Sequence, residues 1–135
     1  MSIMSHNDIQ HSLIPVTDIM STALISVNPR TTAFQIAKMM EHGGIGAIIV
    51  KDNKIPIGII TDRDFATKIA ANNLPFDIPV EKIMSSPLIT INHGEAISSA
   101  AKMMVSKKIR KLAVSEKDKI VGLITSTDLI NQLVK

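Results

Sequence analysis

The chain has 135 residues, 45% of them hydrophobic, with no cysteine and a formal net charge of +3. That length supports one ordinary core or two small units sharing one, and the apolar content excludes disorder over most of it. The lack of cysteine excludes disulfides, thiolate metal sites and cysteine nucleophiles, and three Phe with no Tyr or Trp leave little for a base-stacking surface.

In chain order, the N-terminal segment 1–15 (MSIMSHNDIQHSLIP) has neither the basic nor the apolar region of a secretion signal. Runs such as IGAIIV are too short to cross a bilayer, so a soluble, cytoplasmic protein is expected. A turn, VTDIM, leads to a small apolar strand, LISV at 24–27. A helix follows, with Ala33, Ile36, Ala37 and Met40 at the i, i+3, i+4, i+7 spacing of one buried face. Thr32 and Gln35 form a capping box at its start, and Gly43-Gly44 end it. Two β runs, GAIIV and IPIGIIT, flank the polar turn KDNK, and Pro56 marks an edge or a bulge. A last helix begins in TDRDFATKIA, and ANNLPFDIP (71–79) serves as a linker.

The same order then repeats: VEKIM, LITI, a helix with Ile97, Ala100, Ala101 and Met104 on one face, KLAV, IVGLIT and TSTDLINQLV. Residues 16–65 lie over 80–129 without a gap, at a constant offset of 122 − 58 = 64. The block Ala37-Lys38-Met39-Met40 returns as Ala101-Lys102-Met103-Met104, and Val16, Ile19, Met20 and Ser21 return as Val80, Ile83, Met84 and Ser85. This register identifies a tandem duplication of one β-α-β-β-α unit, in repeats 16–70 and 80–135. Neither repeat could bury much alone, so the two are expected to pack as a pseudo-two-fold α+β pair with a shared cleft.

The phrase GIITDRD (58–64) returns as GLITSTD (122–128), keeping its Gly, Thr and final Asp. Thr61 and Thr125 sit where a strand gives way to a helix, each with an Asp three residues on. One reading is a capping box: the Thr hydroxyl accepts from the helix backbone and the Asp reaches back. The other is a nucleotide site, since helix N-termini favour phosphate and a carboxylate can accept both vicinal hydroxyls of a ribose. The two readings are compatible. Gly58 and Gly122 would let a ligand or a second backbone come close.

With both phrases, their order and their spacing in place, residues 16–135 resemble a tandem pair of CBS domains, the family named for cystathionine β-synthase. The resemblance implies a regulatory module that binds adenosine-containing ligands (AMP, ADP, ATP or S-adenosylmethionine) between its repeats, pairs into a homodimer and signals to an effector protein. It implies that Asp64 and Asp128 hold ribose hydroxyls, that Thr61 and Thr125 contact sugar or phosphate, and that Arg63 and Thr127 point towards phosphate. Each site would be completed by the other repeat: Ile89, Thr90, Ile91, Ile109, Arg110 and Lys111 for Asp64, and Ile25, Ser26, Val27, Gly46 and Ala47 for Asp128. Many family members carry Pro before the Val that ends the second strand, where this chain has Ile49 and Ala113, which leaves the ligand open.

On that pairing the Asp64 site gathers Arg63, Arg110 and Lys111, while the Asp128 site is uncharged. The Asp64 site is therefore expected to be the tighter anion site, because charge-assisted hydrogen bonds are about twice as strong as neutral ones. Asp62 opposes this slightly. In KKIRK (107–111), Lys107 and Lys108 are read mainly as solvated charges at a helix end, and a nucleic-acid role is the weakest reading. A ligand-independent dimerisation unit is the main alternative function.

Asp62-x-Asp64 has Ser126 in place of its first acid in the second copy, and His6, His11, His42 and His93 show no ligand spacing, so no metal is expected. There is no P-loop, dinucleotide fingerprint or nucleophile elbow, and the chain is read as a non-enzyme. Met39-Met40 and Met103-Met104 are read as packing residues, or as part of a dimer face.

Overall fold

In a computed structural model of the protein, the structure describes residues 13–134. His6, His11 and most of the N-terminal segment lie outside these residues. The elements are β1 (Ser26–Val27), α1 (Ala33–Gly43), β2 (Ala47–Asp52), β3 (Ile55–Thr61) and α2 (Asp62–Asp64), which runs on as a π-helical stretch over Phe65–Ala70. The second set is β4 (Thr90–Asn92), α3 (Ile97–Lys107), β5 (Lys111–Glu116), β6 (Lys119–Thr125) and α4 (Ser126–Leu133). A short 3₁₀ turn opens each repeat, at Val16–Asp18 and Val80–Lys82. This is the expected α+β unit, made twice.

Local chemistry sets most boundaries. Thr32 Oγ1 accepts from Gln35 N–H at 3.2 Å, and Gln35 Oε1 accepts from Thr32 N–H at 2.9 Å, completing the capping box. Gly44 closes α1 in the left-handed region, at φ 62°. The counterpart α3 starts at Ala96, which has no side-chain cap, and stops at Lys108 in the same left-handed region. Both hairpins turn on two residues with positive φ, Asn53-Lys54 and Lys117-Asp118, the geometry that matches strand twist.

Each unit carries a three-stranded sheet with a parallel first pair and an antiparallel second: β1-β2-β3 and β4-β5-β6. The register slips by one residue between Val50 and Lys51, beside Pro56, and at the equivalent Val114/Ser115, where no proline is present. The bulge therefore belongs to the repeat, and Pro56 occupies a position where the ladder is already interrupted.

The compact units do not follow the repeat boundaries. One comprises Leu24–Ile89, and the other joins the segment up to Ala23 with Thr90 onward. The leading turn of each repeat packs with the sheet of the other repeat. Val80 and Ile83 enter the core made by Ala33, Ile36, Ile48, Val50, Ile60 and Ile69. Val80 N–H donates to Thr31 O at 2.8 Å, and Ser85 pairs with Ile59 in both directions, at 2.8 and 3.0 Å. Val16 and Ser21 do the same for the other sheet, with Val16 N–H on Glu95 O at 2.9 Å and Ser21 paired with Leu123 at 2.8 and 2.9 Å.

Gly58 and Gly122 serve this exchange. A Cβ on Gly58 would lie 2.8 Å from the Ser85 carbonyl oxygen, and one on Gly122 would lie 3.0 Å from that of Ser21. Of the two partners expected for these glycines, a ligand or a second backbone, the neighbour here is a backbone.

One packing expectation fails. Ala33 and Ile36 are fully buried, but Ala37 is exposed, and Met39 and Met40 are both partly buried against the core. The buried stripe of α1 runs through Ala33 and Ile36, with Met39 and Met40 packing against the core beside it. In α3 the stripe holds better, with Ile97, Ala100 and Met104 buried and Ala101 half-buried.

Candidate functional site

At the C-terminal end of β3, pairing of Ala47 with Thr61 and a 3.1 Å hydrogen bond from Asp62 N–H to Gly46 O bring the start of β2 beside the start of α2. The second unit repeats the corner: Lys111 pairs with Thr125, and Ser126 N–H donates to Arg110 O at 2.8 Å. The first strands join the same sheets, with Ser26 and Val27 opposite Ile49 and Val50, and Thr90 and Ile91 opposite Ala113 and Val114. Ile25 O accepts from Ile49 N–H at 3.0 Å.

The two acids share a first role and differ in the rest. Asp128 Oδ2 accepts from Thr125 N–H at 2.8 Å, and Thr125 Oγ1 accepts from Asp128 N–H at 3.1 Å, a reciprocal cap. Asp128 is half-buried, and its Oδ1 has no partner among the described residues. Asp64 Oδ2 accepts from both Thr61 N–H at 2.8 Å and Thr61 Oγ1–H at 3.2 Å. Its Oδ1 faces Lys68 Nζ at 3.1 Å, and the Asp64 side chain is only 7% exposed. Lys68 Nζ donates as well to Ile83 O at 2.8 Å and approaches Ser85 Oγ at 3.4 Å. A carboxylate offers about four acceptor positions, so Asp64 has spent three on its own protein and Asp128 one.

Lys68 is the residue that sequence reasoning missed. Its i, i+4 spacing from Asp64 was visible, as was Gln132 at the equivalent position of the other repeat. Arg63, Arg110 and Thr127 are exposed, and Ile89, Ile109 and Lys111 are half-buried. Asp64, Arg63, Gly46, Ala47, Ile25, Ser26, Val27 and Ile89 fall in one compact unit, and Asp128, Thr127, Thr90, Ile91, Ile109, Arg110 and Lys111 fall in the other. Within a unit, the cations of 110–111 thus accompany Thr125 and Asp128, while uncharged Gly46 and Ala47 accompany Thr61 and Asp64. No set of three or more His, Asp or Glu residues able to hold a metal ion occurs among the described residues, and no helix there is long and apolar enough to cross a membrane.

A duplicated α+β unit with a capped Thr-x-x-Asp corner at the end of each sheet defines a class of tandem two-repeat modules. The CBS domain family model matches residues 16–71 and 80–135, and the chain belongs to that family. Among relatives, the uncharacterized protein MK0525 of Methanopyrus kandleri is 36% identical over 87% of this chain and 61% of its own length. The CBS domain-containing protein YhcV of Bacillus subtilis is 31% identical over 87% of this chain and 85% of its own. The chain thus spans under two thirds of the first relative and most of the second. A solved structure of an uncharacterized conserved protein from Pyrococcus horikoshii matches with a TM-score of 0.87 at 28% identity, covering 92% of this chain and 95% of that one. The CBS domain pair of protein MJ0100, solved in complex with 5′-methylthioadenosine and S-adenosyl-L-methionine, matches with a TM-score of 0.79 at 28% identity, covering 90% and 99%.

Proposed function

We propose that the protein is a regulatory module that binds an adenosine-containing ligand at its Thr-x-x-Asp corners, with the Asp128 corner the readier of the two. The Oδ1 of a half-buried, capped Asp128 carries this reading, because among the described residues it has no partner and can accept a ribose hydroxyl. The cap holds the carboxylate in place before the ligand arrives, so little rotamer entropy is lost on binding. Thr127 and Arg110, exposed in the same unit, are the candidates for contact with a phosphate or another polar tail, and the β4 residues Thr90 and Ile91 for the base. At the Asp64 corner, Lys68 already neutralises the carboxylate, so a ribose there must compete with a charge-assisted contact. This ranking reverses the order expected from sequence, in which the Asp64 site was the tighter one. AMP, ADP, ATP and S-adenosylmethionine are the candidates, and the MJ0100 pair supports adenosine with a sulfur-bearing tail. The module acts by binding rather than by catalysis, and a partner protein reads the ligand-favoured arrangement.

Because the chain has no Trp or Tyr, absorbance of the purified protein near 260 nm reports co-purified nucleotide directly. Calorimetric titration of AMP, ATP and S-adenosylmethionine is expected to show saturable binding of at least one. Asp128→Ala should weaken it about tenfold or more, and Asp64→Ala should matter less, in line with loss of a hydrogen bond to a charged group. Absence of binding by every adenosine compound, or an unchanged affinity in Asp128→Ala, would overturn the reading.

A second reading, self-association, is favoured by a separate observation. Val105 on α3 and Ile130, Leu133 and Val134 at α4 are 57–79% exposed within one unit. Such a run of apolar side chains on neighbouring helices suits a homodimer face.

A further inference from the structure

Neither Asp64 nor Asp128 lines the hollow at the hairpin end of the first sheet, although Ser26 and Val27, expected above beside an adenosine ligand, form one edge of it. It lies within Leu24–Ile89, between the end of β1, the loop to α1, the first turns of α1 and the β2–β3 hairpin. It is a wide, shallow hollow open to solvent rather than an enclosed cavity. Arg30, Lys51 and Lys54 line it, and none of the three has an ion-pair partner among the described residues. Asp52, next to Lys51, is not part of the wall, as strand alternation requires.

The two amides of the polar wall present donors, because their oxygens already accept a bond, and the Ser26 and Thr31 hydroxyls can donate as well as accept. Asn28 Oδ1 accepts from Arg30 N–H at 2.8 Å and Gln35 Oε1 accepts from Thr32 N–H at 2.9 Å, which leaves each amide its NH₂ group. The loop carbonyls are occupied as well: Asn28 O by Thr31 N–H, Pro29 O by Glu81 N–H and Thr31 O by Val80 N–H. The first amides of α1 are spent too, since Ala33 and Phe34 donate to Ile78 O and Phe76 O, and Gln35 to Thr32 Oγ1. The attraction to anions therefore comes from side chains, not from a free helix end. The other repeat provides an internal comparison. Its residues at the positions of Arg30, Thr31, Lys51 and Lys54 are Gly94, Glu95, Ser115 and Asp118, so the three cations give way to Gly, Ser and Asp and a second carboxylate, Glu95, takes the place of Thr31.

We propose that this hollow is a binding site for a compact phosphate-bearing anion carrying two or more phosphate groups, present in the first repeat only. Three side-chain cations among amide and hydroxyl donors match an anion with several acceptor oxygens, whereas a cationic ligand would meet like charge there. The anion could be free or the tail of a nucleotide, and the two sources are separable.

The test is titration of inorganic pyrophosphate into the ¹⁵N-labelled full chain at low salt, following amide shifts. Saturable changes are expected at residues 28–31 and 51–54, weakening as salt rises. R30G/K51S/K54D, which installs the residues the other repeat carries, should lose at least about tenfold in affinity. Asp64→Ala/Asp128→Ala should leave these changes intact, which separates this site from the adenosine corners. Lys54→Asp alone serves if the triple variant does not fold, because its counterpart Asp118 holds φ 66° against 70° for Lys54. That single variant should weaken binding roughly threefold. Adenosine should not shift these amides, whereas ATP should if the source is a nucleotide tail. The proposal is overturned if pyrophosphate gives no saturable shifts there, if the charge variants bind equally well, or if binding disappears with the two Asp substitutions.

Discussion

Replacing Gly58 by Ala tests the exchange of leading segments on which both compact units rest. The new Cβ would lie 2.7 Å from Met84 Sδ and 2.8 Å from the Ser85 carbonyl oxygen. The thioether can swing aside, but the carbonyl cannot move freely, because it is fixed by Ile59 N–H at 3.0 Å while Ser85 N–H holds Ile59 O at 2.8 Å. Overpacking of this kind costs about 1–3 kcal/mol, and loosening the two hydrogen bonds adds up to about 1 kcal/mol each. Relief of the strand penalty of glycine returns about 0.5–1 kcal/mol. The net expectation is a loss of about 2–3 kcal/mol, a large part of the roughly 5–15 kcal/mol that holds an ordinary domain. Urea unfolding followed by far-ultraviolet circular dichroism is the suitable assay, since the chain has no Trp for fluorescence. Gly94→Ala is the control: its Cβ would meet only Asn92 Oδ1, at 3.5 Å. Equal unfolding midpoints for Gly58→Ala and Gly94→Ala would refute the claim that the glycine is there to admit the leading segment.

Three further outcomes follow from the same geometry. Lys68→Gln, which copies Gln132, should restore adenosine-ligand binding in an Asp128→Ala background by freeing Asp64 Oδ1; calorimetry showing no recovery would mean that Lys68 is not what closes that corner. Thr32→Ala should cost about 1 kcal/mol through loss of the capping box, measured by the same urea transition, with no effect on ligand affinity. Ile130→Asp/Leu133→Asp should shift the protein to monomer in light scattering if the exposed end of α4 is an association face, and an unchanged mass would remove that face from consideration.

Much of the molecule was legible in the residues alone. The 64-residue offset gave the duplication, and the two Thr-x-x-Asp phrases gave both capped corners, including the residue pairs that form them. The Thr32–Gln35 box, the Gly44 stop and the polar hairpin turn at KDNK were readable for one reason: each is decided by groups within four or five residues of one another. The tertiary structure alone decided where the leading turns go, since Val80 and Ile83 complete the core of the first sheet, and Gly58 makes room for Ser85. It also decided that Asp64 is occupied by Lys68, whose position is fixed by Ile83 O, that Ala37 stays in solvent, and that Arg30, Lys51 and Lys54 share one wall. These depend on pairings between segments far apart in the chain, and local propensity carries no record of which distant backbone will arrive.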